Sequence, residues 1–187
     1  MIDTYYEVTM TERAKELFLK YNGNRFHMDR EGEGGEYESY HISRETEEMW
    51  TEELISSFLT SDMCGKEAFR TYAAVTELLK TDRQNKHWNT LLYYPLRTEC
   101  LDDVTILYML PDSFWMAEKA VNKNCFSKGE ADAYLHELER YTRLVRDRAE
   151  NGTMTRASDY VMQEFSDPAY IADYLSSLKR KWTGLLH

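Results

Sequence analysis

The chain is poor in the residues that break, staple or divide a fold: three cysteines, three prolines and eight glycines among 187 residues. Its cysteines, Cys64, Cys100 and Cys125, are odd in number, widely spaced and without a CxxC pair, which argues against a disulfide framework and the common zinc and redox motifs. They are expected as buried free thiols. No Pro-, Gly- or Ser-rich linker separates two halves and no solenoid period repeats, so residues 1–187 are expected to form a single domain.

Long apolar runs are also missing. The longest, VTILYML from Val104 to Leu110, meets Pro111 and is far too short to cross a bilayer. The opening MIDTYYEVTMTERAKEL lacks the basic start, apolar stretch and small-residue cleavage site of a secretory signal. A soluble cytoplasmic protein without a membrane partner is the expectation. Basic charge is scarce as well: 23 Lys and Arg against 33 Asp and Glu leave a net charge of −10, which repels phosphate backbones and disfavours nucleic-acid binding. Nucleophile elbows of the GxSxG type and phosphate loops of the GxxxxGK[ST] type are absent.

What is present is apolar and aromatic: 42% hydrophobic residues, 13% aromatic, enough to offset the entropy of ordering a core. Helical stripes dominate. Thr9 and Glu12 read as a capping box ahead of Met10, Ala14, Leu17, Phe18 and Tyr21, with Gly23 as the stop. Ser43 can cap a helix on which Trp50, Leu54 and Phe58 share a face. A third helix spans roughly residues 66 to 80 around Ala68, Tyr72, Val75 and Leu79. Ser127 caps the longest stripe, from Ala131 to Ala149, and Asn151-Gly152 ends it. Thr155 reads as the start of a helix through Ala157, Val161 and Phe165, and Asp167-Pro168 as the start of the last, through Ile171, Leu175, Leu178 and Trp182. Residues 86–110 fit helix or strand; helix is favoured there, with a separate helix after Asp112. The expected fold is mainly α, a helical bundle of about six to eight helices with a small β-hairpin near residues 25–42.

That hairpin is read from NRFHMDREGEGGEYESYH, residues 24 to 41. Pairing Phe26 with Ile42, Met28 with Tyr40 and Arg30 with Glu38 makes one face apolar. The other face then carries His27 opposite His41, with Asp29 and Glu31 beside them. Imidazoles and carboxylates on one face are ligands that zinc, iron or manganese accept, so His27, Asp29 and His41 are candidate metal ligands and a divalent transition metal the one candidate cofactor. A polar outward sheet face explains the same residues without a metal and is preferred. Likewise Asp132, His136 and Glu139, together on the long helix, lie opposite its apolar stripe and read as a solvated face.

Charge distribution is the stronger signal. From Asp29 to Glu53 the chain holds ten acidic residues and two basic ones, a net of −8, while arginines gather at Arg140, Arg143, Arg146 and Arg148, followed by Lys179, Arg180 and Lys181. The leading expectation is a non-enzymatic protein-binding module, of an inhibitor, immunity or regulatory kind, docking a basic protein through residues 29–53. Glu31, Glu45, Glu47, Glu48 and Glu52 are its candidate contacts. Two other readings stand beside it: a metal-binding protein or metal-dependent enzyme using His27, His41 and Asp29, and an oligomeric structural protein with the aromatic middle as its interface.

Overall fold

A computed structural model describes residues 2–79, 87–123, 126–157 and 164–183, with side chains described from residue 10 onward, that of 164 excepted. Among these residues there are nine α-helices, one short 3-10 turn and no strand: α1 (Ile2–Lys20), α2 (Arg25–Arg30), α3 (Gly34–Ser39), α4 (Arg44–Leu59), α5 (Gly65–Leu78), α6 (Trp88–Arg97), α7 (Asp103–Asn122), α8 (Lys128–Glu150), the 3-10 turn Glu164–Ser166, and α9 (Pro168–Thr183). The helical character and most boundaries follow the stripes and caps of the sequence. No helix among the described residues is long and apolar enough to cross a membrane. The chain divides into two compact units, Met1–Ser61 with Glu77–Gln84, and Asp62–Thr76 with Asn85–His187.

The first unit holds α1 to α4. Ala14, Leu17 and Phe18 of α1, Met28 of α2, Tyr37 of α3 and Trp50 of α4 bury together with Leu78, and Tyr21, Tyr40, Ile42 and Leu54 pack around them. Phe18 and Trp50 meet at 5.4 Å between ring centroids. Each such side chain contributes about 1.5–3 kcal/mol by leaving water. α1 starts at Ile2, so Thr9 lies within the helix rather than at its cap. A capping box needs a non-helical residue at its first position, and none separates Thr9 from the preceding turn.

Gly23 is where α1 must stop. After Asn22 at φ 50°, Gly23 takes φ 66° and its N–H donates to the Phe18 carbonyl at 2.8 Å. A Cβ there would meet Leu78 at 2.7 Å and the Phe18 ring at 2.9 Å, so neither backbone nor core has room for a side chain.

The expected β-hairpin is instead a pair of short helices. Asn24 accepts from the His27 N–H at 3.2 Å and caps α2. At the other end the Glu33 N–H donates to the Met28 carbonyl at 2.9 Å and the Gly32 N–H to that of Asp29 at 3.1 Å, closing α2 in a Schellman turn. α3 follows so closely that a Cβ on Gly34 would lie 1.8 Å from Asp29 Oδ1. The glycines therefore serve a helix–helix turn, not a strand turn. Met28 and Tyr37 are buried, whereas Phe26, assigned to the apolar face of the hairpin, is 69% exposed.

The second unit holds the first three turns of α5, then α6 to α9, and is dense in aromatic side chains. Tyr72 stacks on Tyr94, Tyr93 meets Tyr134 edge-on, and Trp182 packs on both Tyr134 and Phe114. The middle segment is helical, and its aromatic residues Trp88, Tyr93 and Tyr94 are buried.

α7 runs unbroken through Pro111, where a separate helix after Asp112 was expected. A proline inside a helix removes the N–H that would bond to the carbonyl four residues back. For Pro111 that carbonyl belongs to Leu107, and the Tyr174 hydroxyl of α9 donates to it at 2.7 Å. Pro95 inside α6 leaves Leu91 in the same position, and the buried Tyr72 hydroxyl of α5 donates to it at 2.8 Å. Two prolines are thus accommodated by two tyrosines, each tying the helix to a neighbour.

The remaining caps follow the sequence. Ser43, Ser127 with Glu130, and Asp167 with Pro168 open α4, α8 and α9, and α8 ends at Asn151 and Gly152. Thr155 does not open a helix: its N–H and hydroxyl both donate to Asp103 Oδ2, at 2.8 and 3.0 Å. Phe165 lies in the 3-10 turn, and Val161 falls outside the described residues.

Candidate functional site

Without the hairpin, the register that set His27 against His41 is gone. His27 is exposed on α2 beside Phe26, their rings 5.9 Å apart. His41 is exposed at φ 49°, just past the end of α3, and Asp29 lies against the start of α3. Among the described residues no three His, Cys, Asp or Glu side chains gather where they could hold a metal ion. On α8, Asp132 and His136 are exposed and Glu139 pairs with Lys179 at 2.8 Å, as a solvated face would. Cys64 and Cys100 are exposed free thiols rather than buried ones, and Cys125 falls outside the described residues.

One set of carboxylates in the acidic segment anchors α2 and α3. Glu33 takes Lys20 at 2.5 Å, Arg13 at 3.6 Å and the Tyr21 hydroxyl, and Glu36 takes Arg13 at 2.9 Å and the Tyr40 hydroxyl at 2.8 Å. Hydrogen bonds from Lys20 hold the Glu33 carboxyl below its ordinary value, and those from Arg13 do the same for Glu36. Glu47 belongs to this set too. It accepts from Arg25 at 2.8 Å and from the Tyr37 hydroxyl at 2.9 Å, and burial followed by that bond pushes the Tyr37 phenol up.

The other candidates differ. Glu31 is exposed and pairs with its neighbour Arg30, at 3.1 Å. Glu45, Glu48 and Glu53 are exposed on the outward side of α4, and the half-buried Glu52 lies at helical spacing from the first two. Glu45 is held below its ordinary value by its own backbone N–H and by the Ser43 hydroxyl at the helix start. Glu48 pairs with Arg44 at 3.0 Å and Glu53 with Lys15 at 2.5 Å, both between exposed partners. Such surface pairs contribute only about 0–1 kcal/mol and exchange readily.

In the middle of this outward face stands Met49, 52% exposed. Glu45 precedes it by four residues, Glu48 by one, and Glu52 and Glu53 follow by three and four. Met49 did not figure among the expected contacts, although the stripe of Trp50, Leu54 and Phe58 already turns it away from the core. An apolar, adaptable side chain ringed by carboxylates has the build of a small interface centre with a charged rim.

The second unit carries the one buried carboxylate pair of note. Asp103 is 1% exposed; it takes Arg148 at 2.6 Å on one oxygen and Thr155 on the other. Its own N–H donates to Thr155 Oγ1 at 2.9 Å. Asp103 is thereby closed on both oxygens and joins the start of α7, the end of α8 and the residues after it. No family model, curated protein or solved structure matches the chain.

Proposed function

We propose that the chain is a non-enzymatic protein-binding module whose docking face is the outward side of α4, and that its partner presents a basic surface. One observation carries this reading: Met49, half-exposed, at the centre of Glu45, Glu48, Glu52 and Glu53. Burying the thioether supplies contact area, while the surrounding carboxylates favour Lys and Arg and steer them from a distance. Arg44 and Lys15, which now face Glu48 and Glu53, give way to the partner's cations at little cost because both pairs are exposed.

Glu47 is separated from this face and kept out of the test. Its bonds to Arg25 and Tyr37 are internal, so replacing it reports on folding. A basic partner recovered with the wild-type chain and then purified should bind E45K/E48K/E52K on the order of 100-fold more weakly, with M49A about tenfold weaker. Raising salt should weaken the wild-type complex. Melting curves of the variants should match the wild type. Unchanged affinity in the triple variant removes the proposal.

A further inference from the structure

We propose that the basic surface received by α4 is the outward face of α8 on a second copy of this chain. The proposal rests on the docking role given to α4 above and names its partner. α8 exposes Leu144, at 39%, at the edge of the buried stripe of Tyr134, Leu138, Tyr141 and Val145. Around it lie Arg140 four residues before, Arg143 one before, and Asp147 three after, all exposed. The layout repeats that around Met49, where Glu45 is four before, Glu48 one before and Glu52 three after. Two helix faces with an apolar centre in the same spacing thus differ in sign at the two positions before that centre and share a sign at the third. At those two positions each is the other's complement.

Seating Met49 against Leu144 brings Arg140 and Arg143 among the carboxylates in either helix direction, because helical neighbours lie three and four residues away on both sides. Asp147 is the one like charge, set against a surplus of attraction. Arg148 is committed to Asp103 and stays outside the contact. Neither face is self-complementary, so the contact joins unlike surfaces of two copies. It closes if two α4–α8 contacts form at once and extends into chains if they do not. One helix pair is a small interface, and the association is weak and salt-sensitive.

Sedimentation velocity on the full chain, from a few micromolar to about 0.5 mM, tests this in the range of small interfaces. Wild type should associate with rising concentration. E45K/E48K alone and R140E/R143E alone should stay monomeric with unchanged melting curves. Mixed in equal amounts, the two variants should associate again, since the lysines on α4 of one meet the glutamates on α8 of the other. A wild-type chain that stays monomeric at about 0.5 mM overturns the proposal, as does association that survives either reversal or fails to return on mixing. The docking role of α4 falls separately, on unchanged affinity of E45K/E48K/E52K for a basic partner of another sequence.

Discussion

The two units differ in what their tyrosine hydroxyls bond to. In the first, α2 and α3 are tied by carboxylates that take both a cation and a tyrosine hydroxyl: Glu33, Glu36 and Glu47. In the second, tyrosine hydroxyls donate to backbone carbonyls that prolines have left open. Exposed pairs there join Arg97 to Glu137 and Lys179 to Glu139, and among the described residues one buried carboxylate, Asp103, is closed on both oxygens. Ties made from exposed ions respond to salt and acid, while ties made from buried neutral groups respond to neither. The α2–α3 pair is therefore an adjustable part of the first unit, which also carries the proposed docking face.

The sharpest way to break the comparison is to attack its apparent exception, the buried charged tie of the second unit. D103A removes the acceptor for Arg148 and Thr155 at once and should cost about 3 kcal/mol, read as a fall in the urea midpoint. A small loss would mean that this tie resembles the exposed pairs of the first unit. In the first unit the comparable vulnerability is steric. G23A must hold a side chain at positive φ against Leu78 and Phe18, and about 2–3 kcal/mol should be lost.

A double-mutant cycle separates the proline ties from ordinary hydrogen bonds. Y72F leaves the Leu91 carbonyl without its donor and should cost about 1–3 kcal/mol. P95A restores an N–H that can reach the same carbonyl, so Y72F should cost less on the P95A background, with a coupling of about 1 kcal/mol. Equal costs on both backgrounds would show that Tyr72 acts by packing alone. Y174F should cost less than Y72F, because the hydroxyl over Leu107 is only partly buried.

Much of the architecture was legible because it is written locally. Trp50, Leu54 and Phe58 recur at helical spacing, and Ser43, Ser127 and Asp167 announce helix starts within three residues of what they cap. The hairpin was misread for a physical reason. Helices of six residues are too short for a 3.6-residue period to outweigh the alternation of Phe26, Met28, Tyr40 and Ile42. The better local signal was Asn24, a cap ahead of a six-residue span, with Gly32 closing it. Pro111 looked like a break because its remedy, Tyr174, lies 67 residues from Leu107. Among the candidate contacts, the charges were readable but their partners were not. Glu47 stands three residues before Trp50, which sets it toward the core side, yet only the fold brings Arg25 and Tyr37 to it.

The gentlest test uses acid. Glu33 and Glu36 have lowered folded values, so they release protons more readily in the folded chain than in the unfolded one. Their contribution to stability is complete above the ordinary carboxylate value of roughly 4.3, and it fades as pH falls through the lowered values. The protection factors of the amides of α2 and α3, taken against the intrinsic exchange rate at each pH, should therefore fall as pH drops below about 4.3, while amides beside Leu91 and Leu107 keep their protection. Added salt at neutral pH should act in the same direction on α2 and α3. E33Q/E36Q removes the titrating groups, and the protection factors of its α2 and α3 amides should no longer fall with acid. If that variant keeps the wild-type acid response, the carboxylate ties are not what holds the α2–α3 pair, and the contrast between the units rests on Met28 and Tyr37 instead.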